Sequence, residues 1–174
     1  YYPAQICFPP IETDIVYKPF MSSEIIESLD DDQINIYRDV YDMLIRPVME
    51  HDRPQMVGIS VVQQKQLIPT FTFCKMIKDA FPETHITLGG NIITRIRDML
   101  PGMENLWELF DSAIVYEGES AYLKLTEAVK NGDDFSTLPN LIYKDKKGVH
   151  VNKEVFAESL AELPPPDFDG LPLE

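Results

Sequence analysis

The sequence predicts an α/β fold of three layers, in which a parallel sheet carries helices on both of its faces. The first observation is an alternation along the chain, where short apolar runs are separated by longer segments with apolar residues at helical spacing. The second is the run Met56–Val62, which is apolar almost without interruption. Such continuity is typical of a strand buried on both faces of a parallel sheet. Alternating strands and helices then predict right-handed crossovers between parallel neighbours.

Six elements make up the predicted core, and they alternate between strand and helix. The strands are placed at Met56–Val62, His85–Leu88 and Ser112–Tyr116, and the helices at Leu67–Phe81, Ile92–Leu100 and Ala121–Asn131. The last helix is expected to close at Asn131-Gly132, because glycine is the usual residue after a helix end. These elements together predict a Rossmann-like, or flavodoxin-like, fold over residues 54–135.

A lead-in of different character precedes this core. Residues 1–53 are predicted to be mostly helical, with a short helix over Ser22–Leu29 and an amphipathic helix from Tyr37 onward. Pro47 should kink or end that second helix near Arg46, because proline removes a backbone donor. Ile6–Pro10 is a candidate remnant of a first core strand.

Two further segments follow the core. Residues 136–158 are predicted to form a β-hairpin, because extended stretches flank the glycine-containing turn Asp145–Gly148. Residues 159–174 contain three consecutive prolines, Pro164 to Pro166, which fit neither a helix nor a central strand. This last segment is predicted to be an extended, proline-rich connector.

The composition argues against several classes of partner. The net charge is −14, whereas nucleic acids and anionic membrane surfaces are bound by clustered lysine and arginine. No apolar run reaches the roughly 18 residues of a membrane span, and the first residues do not resemble a signal peptide. The two cysteines, Cys7 and Cys74, lack metal-ligand spacing and are typical of a reducing compartment. The sequence therefore predicts a cytoplasmic protein without a nucleic-acid or membrane partner.

The carboxyl ends of the predicted strands are the expected place for a ligand, as in other open parallel sheets. The candidate cofactor-binding residues at these ends are Ser60, Val61, Gln63, Gly89, Gly90, Asn91, Glu117 and Gly118. Glycines there admit close backbone approach, and the polar side chains offer donors and acceptors. Each position also has a plain structural interpretation, since a glycine pair suits a tight turn and a glutamate complements a helix dipole.

Motifs that would identify a catalyst are absent from the sequence. It contains no dinucleotide-binding fingerprint, no Walker loop and no nucleophile elbow. No metal-ligand spacing of cysteine is present either. The sequence therefore predicts a ligand site at the strand ends, with no catalytic residue and no metal ligand.

Seven sequence blocks occur in an order that resembles a known family. They are VGISV (Val57–Val61), IKDAFP (Ile77–Pro82), ITLGGN (Ile86–Asn91), YEGES (Tyr116–Ser120), AVKNGDD (Ala128–Asp134), LPNLIYKDKKGVHVN (Leu138–Asn152) and LAELPPPDFDGLPL (Leu160–Leu173). In this order and spacing they resemble the N-terminal, cobalamin-binding domain of radical S-adenosylmethionine enzymes. The resemblance covers about residues 56–173.

The resemblance implies that a cobalamin lies on the carboxyl ends of the strands, beside a barrel of the same polypeptide. In this family the barrel follows the proline-rich connector, binds a [4Fe–4S] cluster through Cys-x-x-x-Cys-x-x-Cys and cleaves S-adenosylmethionine. Many members are methyltransferases. The present sequence contains no Cys-x-x-x-Cys-x-x-Cys motif. This chain by itself is therefore expected to bind neither the cluster nor S-adenosylmethionine, and not to be catalytic.

One motif of other cobalamin domains is missing. Asp-x-His-x-x-Gly supplies a lower cobalt ligand in methionine-synthase-like domains, and it does not occur here. The radical family commonly lacks it too and leaves the lower face to the first loop, which here is Val61 to Gln66. The alternative is a cofactor-free domain of the same enzyme class that covers the barrel or recruits a substrate. A signal-receiver domain is disfavoured, because it needs an aspartate at a strand's carboxyl end and none of the predicted ends has one.

Overall fold

The structure, a computed structural model, describes residues 16–155, the backbone of two short strands before them, and Pro165 and Asp169. The described strands form two separate sheets. In the smaller sheet, β1 (Gln5–Cys7) pairs antiparallel with β2 (Glu12–Asp14). The larger sheet has five strands and organises the rest of the chain.

The strands of the larger sheet lie side by side in chain order. They are β3 (Met56–Ser60), β4 (His85–Gly89), β5 (Ser112–Ile114), β6 (Leu141–Asp145) and β7 (Gly148–Val151). β3, β4 and β5 are parallel, with Gly58 opposite Thr87 and Thr87 opposite Ser112. β6 runs antiparallel to β5, and β7 antiparallel to β6. The predicted hairpin therefore extends the core sheet.

Six α-helices accompany the larger sheet in the described part of the chain. They are α1 (Ser22–Leu29), α2 (Tyr37–Val40), α3 (Arg46–Asp52), α4 (Leu67–Ala80), α5 (Asn91–Ile96) and α6 (Glu119–Asn131). The helix predicted over Ile92–Leu100 is shorter in the structure, because α5 ends at Ile96 and 3₁₀ turns follow at Leu100–Gly102 and Glu104–Leu106. None of the described helices combines the length and the apolar character needed to cross a membrane.

The main hydrophobic core lies on one face of the sheet. Ile86 and Leu88 of β4 are fully buried there, in one cluster with residues of α4 and α5. Trp107 and Phe110 close this cluster, with ring centroids 4.4 Å apart. The lead-in belongs to the same core, since Ile25 of α1 is buried in it.

A smaller core lies on the opposite face, under α6. Ala121, Leu125 and Ala128 recur along one side of that helix and pack against Ile114 of β5 and Leu141 of β6. Helices thus cover both faces of the sheet, and the predicted three-layer α/β fold is confirmed.

The lead-in is tied to the core by a buried amide. The side chain of Asn35 donates hydrogen bonds to the Ser28 carbonyl and to the Thr72 hydroxyl, both at 2.8 Å. Thr72 lies on α4, so this amide joins the end of α1 to the central helix. The lead-in is therefore a packed part of the described structure.

Pro47 does not end the second lead-in helix, contrary to one of the two predicted outcomes. A π-helical turn, Tyr41–Ile45, precedes α3, and Pro47 lies in the first turn of α3. The chain stays helical from Tyr37 through this position, and the π-helical turn changes the hydrogen-bond register immediately before the proline, which has no amide donor. The helix consequently continues to Asp52.

Two other predictions about strands need correction. β3 is not buried on both faces, because Gly58 and Ser60 are exposed on the side of the sheet that carries α6. The candidate remnant of a first core strand at Ile6–Pro10 does not join the core sheet, since Gln5–Cys7 pairs in the smaller sheet. Phe8–Pro10 and most of the predicted connector over residues 159–174 lie outside the described residues.

His85 is half-buried at the amino end of β4. Its Nε2 lies 2.8 Å from the Ser112 hydroxyl oxygen, and its ring meets Phe135 edge to face at 5.5 Å between centroids. Burial lowers the pKa of His85 below its ordinary value of 6.5, although the negative charge of Asp111 opposes this shift. The folded domain therefore favours the neutral imidazole.

We expect the free energy of unfolding to fall as the pH drops below about 6.5, because the unfolded chain binds a proton that folded His85 resists. This free energy can be measured by urea unfolding at about pH 7.5 and about pH 5.5. The difference between the two values should be smaller in His85→Gln than in the wild type. His51→Gln is the matched control, since the His51 side chain is 87% exposed. Equal pH dependence in both variants would contradict the assignment to His85.

Candidate functional site

A groove opens at the carboxyl ends of β3, β4 and β5, on the sheet face that carries α6. Its volume is about 480 Å³, within the range of about 300–1,000 Å³ that is typical of small-molecule sites. Its lining residues are Gly58, Ile59, Ser60, Thr87, Leu88, Gly89, Gly90, Ile114, Tyr116, Gly118, Glu119 and Tyr122. The groove therefore lies where ligands of open α/β sheets bind.

Small residues of two strands form the floor of this groove. Gly58 and Ser60 on β3, and Thr87 and Gly89 on β4, alternate with larger apolar residues that belong to the main core. α6 packs instead on β5 and β6, through residues such as Leu125. The groove exists because the floor side chains are small and the helix is placed toward the hairpin.

Thr87 places an unsatisfied polar group in the floor. Only 2% of this residue is exposed, and its Oγ1 has no hydrogen-bond partner among the described residues. A buried hydroxyl without a partner costs about 1–3 kcal/mol of folding free energy. A ligand with a hydrogen-bonding group in the groove would supply the missing partner.

A second groove of about 480 Å³ lies at the opposite ends of the strands, with Arg53, Phe81 and Thr84 in its lining. Thr84 is satisfied there, because its hydroxyl donates to the Pro54 carbonyl at 3.1 Å. Of the described lining residues, none carries a buried polar side-chain atom without a partner. The groove at the carboxyl ends is therefore the stronger candidate.

Tyr122 of α6 covers part of the floor. A β-carbon at position 58 would lie 2.8 Å from Tyr122 Cε2 and 2.9 Å from its hydroxyl oxygen. No side chain fits at that distance while the ring stays in place. Gly58 thus lets an aromatic ring rest on the backbone of β3.

Gly90 is held by backbone packing at the junction of β4 and α5. Its φ is +93°, and a β-carbon there would lie 2.7 Å from the Val61 carbonyl oxygen. Val61 in turn donates from its amide to the Gly89 carbonyl at 2.8 Å and accepts from the Ile92 amide at 3.0 Å. This junction fixes the edge of the groove.

The loop after β3 is ordered by its glutamines. The Gln66 side-chain oxygen accepts hydrogen bonds from the amides of Val62 and Gln63, at 2.7 and 2.9 Å. The Gln63 side chain accepts in turn from the Gln66 amide, which completes a capping box. The loop therefore has a defined shape beside the carboxyl edge of the sheet.

Tyr116 forms a strained wall of the groove. Its φ is +62°, which is uncommon for a residue other than glycine. Its amide donates to the Thr94 hydroxyl at 2.9 Å, and its hydroxyl donates to Glu154 at 3.1 Å. Burial, and then the hydrogen bond to Glu154, raise the pKa of Tyr116. The Arg97 guanidinium lies over the ring, 5.1 Å from its centroid.

The chain returns to this edge after the hairpin. Asn140 holds Val155 from both sides, since its Oδ1 accepts from the Val155 amide at 2.7 Å and its Nδ2 donates to the Val155 carbonyl at 3.1 Å. Glu154 is paired with Arg97 at 3.4 Å between Oε1 and Nε. The segment that leads toward the predicted connector is therefore anchored beside the groove.

The structure brings some of the sequence-predicted residues together and separates others. Ser60, Gly89, Gly90 and Gly118 line the groove. The Val61 side chain is fully buried, and Gln63 is engaged in the capping box. Asn91 is exposed at the start of α5, and Glu117 is exposed with its carbonyl 3.5 Å from Asn140 Nδ2.

Eight lining residues are not among the residues predicted from the sequence, and three of them, Gly58, Thr87 and Tyr122, shape the floor of the groove. The first two carried a signal, because small or polar residues alternate with larger apolar ones along β3 and β4. Alternation of this kind indicates one face that is not filled by core side chains. Tyr122 carried no such signal, since its position above Gly58 depends on how α6 packs.

Comparison with known structures shows a similar fold in TsrM from Kitasatospora setae, a radical S-adenosylmethionine methyltransferase. The structure with tryptophan substrate and the analogue aza-SAM gives a TM-score of 0.55 at 16% identity, over 86% of this chain and 28% of that one. The structure with cobalamin and a [4Fe–4S] cluster gives a TM-score of 0.52 at 16% identity, over 94% and 30%.

At this level of identity the likeness establishes a related fold. The chain spans less than a third of the length of the TsrM chains it matches. No family model and no curated protein matches the sequence.

Proposed function

We propose that this chain is the cobalamin-binding module of a radical S-adenosylmethionine enzyme. The chemistry, methyl transfer or a related radical step, belongs to a barrel of the same polypeptide that holds the [4Fe–4S] cluster and S-adenosylmethionine. The observation that carries the proposal is the buried, unpartnered hydroxyl of Thr87 in a groove at the carboxyl ends of the strands. The fold shared with TsrM supports it.

The groove suits one part of a corrinoid. A β-carbon at Gly89 would meet only the Ile114 carbonyl oxygen, at 3.8 Å, so the floor is open above this residue. The hydroxyls of Ser60 and Thr87 and the carboxylate of Glu119 provide hydrogen-bonding groups around that space. A site of about 480 Å³ accommodates the nucleotide tail of cobalamin, while the larger corrin ring would rest on the strand ends.

Other residues of the chain complete the proposed site. Gly90 and Gly118 would let the corrin edge approach the backbone, and the loop from Val61 to Gln66 would face the lower side of the cobalt. Glu117 and Asn91 would hydrogen-bond the peripheral amides. When bound, cobalamin supplies a cobalt centre that carries a methyl group.

The anchored segment at Glu154 and Val155 supports the proposed arrangement of the parent enzyme. It holds the chain beside the groove immediately before the predicted connector. A barrel that follows this connector would therefore begin near the bound cofactor.

The experiment that tests the proposal is titration of the chain with hydroxocobalamin, followed by desalting and a visible spectrum. We expect the protein to retain about one corrin per chain, and Gly89→Leu to lose it because the new side chain fills the floor. Gly102→Leu is the matched control, since nothing lies within 4 Å of a β-carbon at Gly102, away from the groove. Circular dichroism should show both variants folded.

A second candidate function is a cofactor-free domain that covers the barrel or recruits a substrate. The position of the Tyr122 ring above Gly58 favours a cofactor-free domain, because the ring occupies part of the groove. A wild-type protein that stays colourless after desalting, with Gly89→Leu indistinguishable from it, would support this candidate and contradict cobalamin binding.

A further inference from the structure

The ring of Tyr122 occupies volume in the groove but leaves the floor unsatisfied. It rests on Gly58 with its edge 2.8 Å from where a β-carbon would be, and Gly58 is the register partner of Thr87 on the next strand. The Thr87 hydroxyl nevertheless has no hydrogen-bond partner among the described residues. A phenol ring in this position thus fills space without completing the polar contacts of the floor.

Tyr122 is held less firmly than the helix that carries it. Ala121 and Leu125 anchor α6 in the smaller core, with 2% and 0% exposure. Tyr122 is 43% exposed, and its hydrogen bonds to Gly118 and Thr126 are both made by its backbone. Rotation about the side-chain torsions can therefore move the ring toward solvent while the helix stays in place.

We propose that the Tyr122 side chain is a gate. It closes the groove in the free protein and is displaced when a flat heteroaromatic ring of a ligand binds there. The inference rests on the proposed function, in which that ring is the nucleotide base of cobalamin. A base with a ring nitrogen takes the place of the phenol above Gly58 and in addition accepts a hydrogen bond from Thr87. Exchange of one aromatic ring for the other thus satisfies the buried hydroxyl.

The test compares two corrinoids in stopped-flow binding experiments. Hydroxocobalamin carries the nucleotide base, whereas cobinamide lacks it. We expect Tyr122→Ala to raise the association rate of hydroxocobalamin about tenfold, which corresponds to an open state populated at about 10% in the wild type. The rate for cobinamide should stay within about twofold of the wild type.

Two further variants separate gating from general effects. Tyr122→Phe should bind both corrinoids as the wild type does, because the ring and not the hydroxyl closes the groove. Leu123→Ala removes an apolar side chain that is 62% exposed on the same helix and outside the groove, and it should change neither rate.

The outcomes distinguish the gate from the proposed function. Suppose that both corrinoids bind, and that Tyr122→Ala either leaves the association rate of hydroxocobalamin unchanged or raises the association rates of both corrinoids equally. The proposal that Tyr122 is a gate would then be wrong, and the proposal of cobalamin binding would remain. If neither corrinoid binds, the riboside of 5,6-dimethylbenzimidazole is used as probe. Faster association of that nucleoside with Tyr122→Ala supports the gate without cobalamin binding, and no binding of it overturns both.

Discussion

Replacing Gly90 by alanine is expected to destabilise the domain by about 3 kcal/mol or more. The backbone at this position has φ of +93° and ψ of 177°, a conformation that side chains other than that of glycine rarely adopt. The new β-carbon would also lie 2.7 Å from the Val61 carbonyl oxygen and 2.8 Å from its nitrogen, and both are backbone atoms. Neither contact can relax unless the junction of β4 and α5 moves away from Val61.

Urea unfolding followed by circular dichroism measures this effect. Because small domains are stable by only about 5–15 kcal/mol, the midpoint of Gly90→Ala should fall far below that of the wild type. Gly89→Ala is the matched control, since its nearest new contact is the Ile114 carbonyl oxygen at 3.8 Å. We expect that control to change stability by less than about 1 kcal/mol. A Gly90→Ala protein as stable as the control would show that the junction is not tightly packed.

Gly89 and Gly90 show which properties of this site can be predicted from the sequence and which cannot. A glycine pair after a strand has two interpretations, a tight turn or a close approach to a ligand, and the sequence does not separate them. In the structure the two glycines have different surroundings. Gly90 is required by backbone packing, whereas Gly89 leaves open space in the groove floor. The distinction depends on what lies across from each residue, which is a tertiary property.

The fold class could be predicted because its signals are local. Apolar spacing identified α4 and α6, and short apolar runs identified β3, β4 and β5. The same reasoning failed for the burial of β3, because it assumed that helices cover both faces of every strand. α6 instead packs over β5 and β6. Which strands a helix covers is decided by side-chain packing far along the chain.

The walls of the groove also depend on contacts between residues that are far apart in the sequence. Tyr116 and Glu154 are separated by 38 residues and meet through a hydrogen bond between their side chains. Asn140 reaches Val155 across 15 residues. No periodicity marks these residues in the sequence, so the anchored segment beside the groove could be found only in the structure.

Thr87→Val is expected to change stability and binding in opposite directions. Valine has nearly the shape of threonine and suits a strand, so the substitution removes an unpaired buried hydroxyl with little change in packing. The free energy of unfolding of the free protein should rise by about 1 kcal/mol. Affinity for hydroxocobalamin should fall about tenfold, because the bound base would lose its hydrogen-bond donor.

Thr84→Val is the control for both measurements. Its hydroxyl is also buried but donates to the Pro54 carbonyl at 3.1 Å, so the same substitution should lower stability by about 1 kcal/mol. Thr84 lies at the opposite ends of the strands, and corrin binding should not change. If Thr87→Val lowered stability as Thr84→Val does, the Thr87 hydroxyl would have a partner in the free protein. A residue that costs stability when the groove is free and contributes affinity when it is filled belongs to a binding site, because selection for folding alone favours valine there.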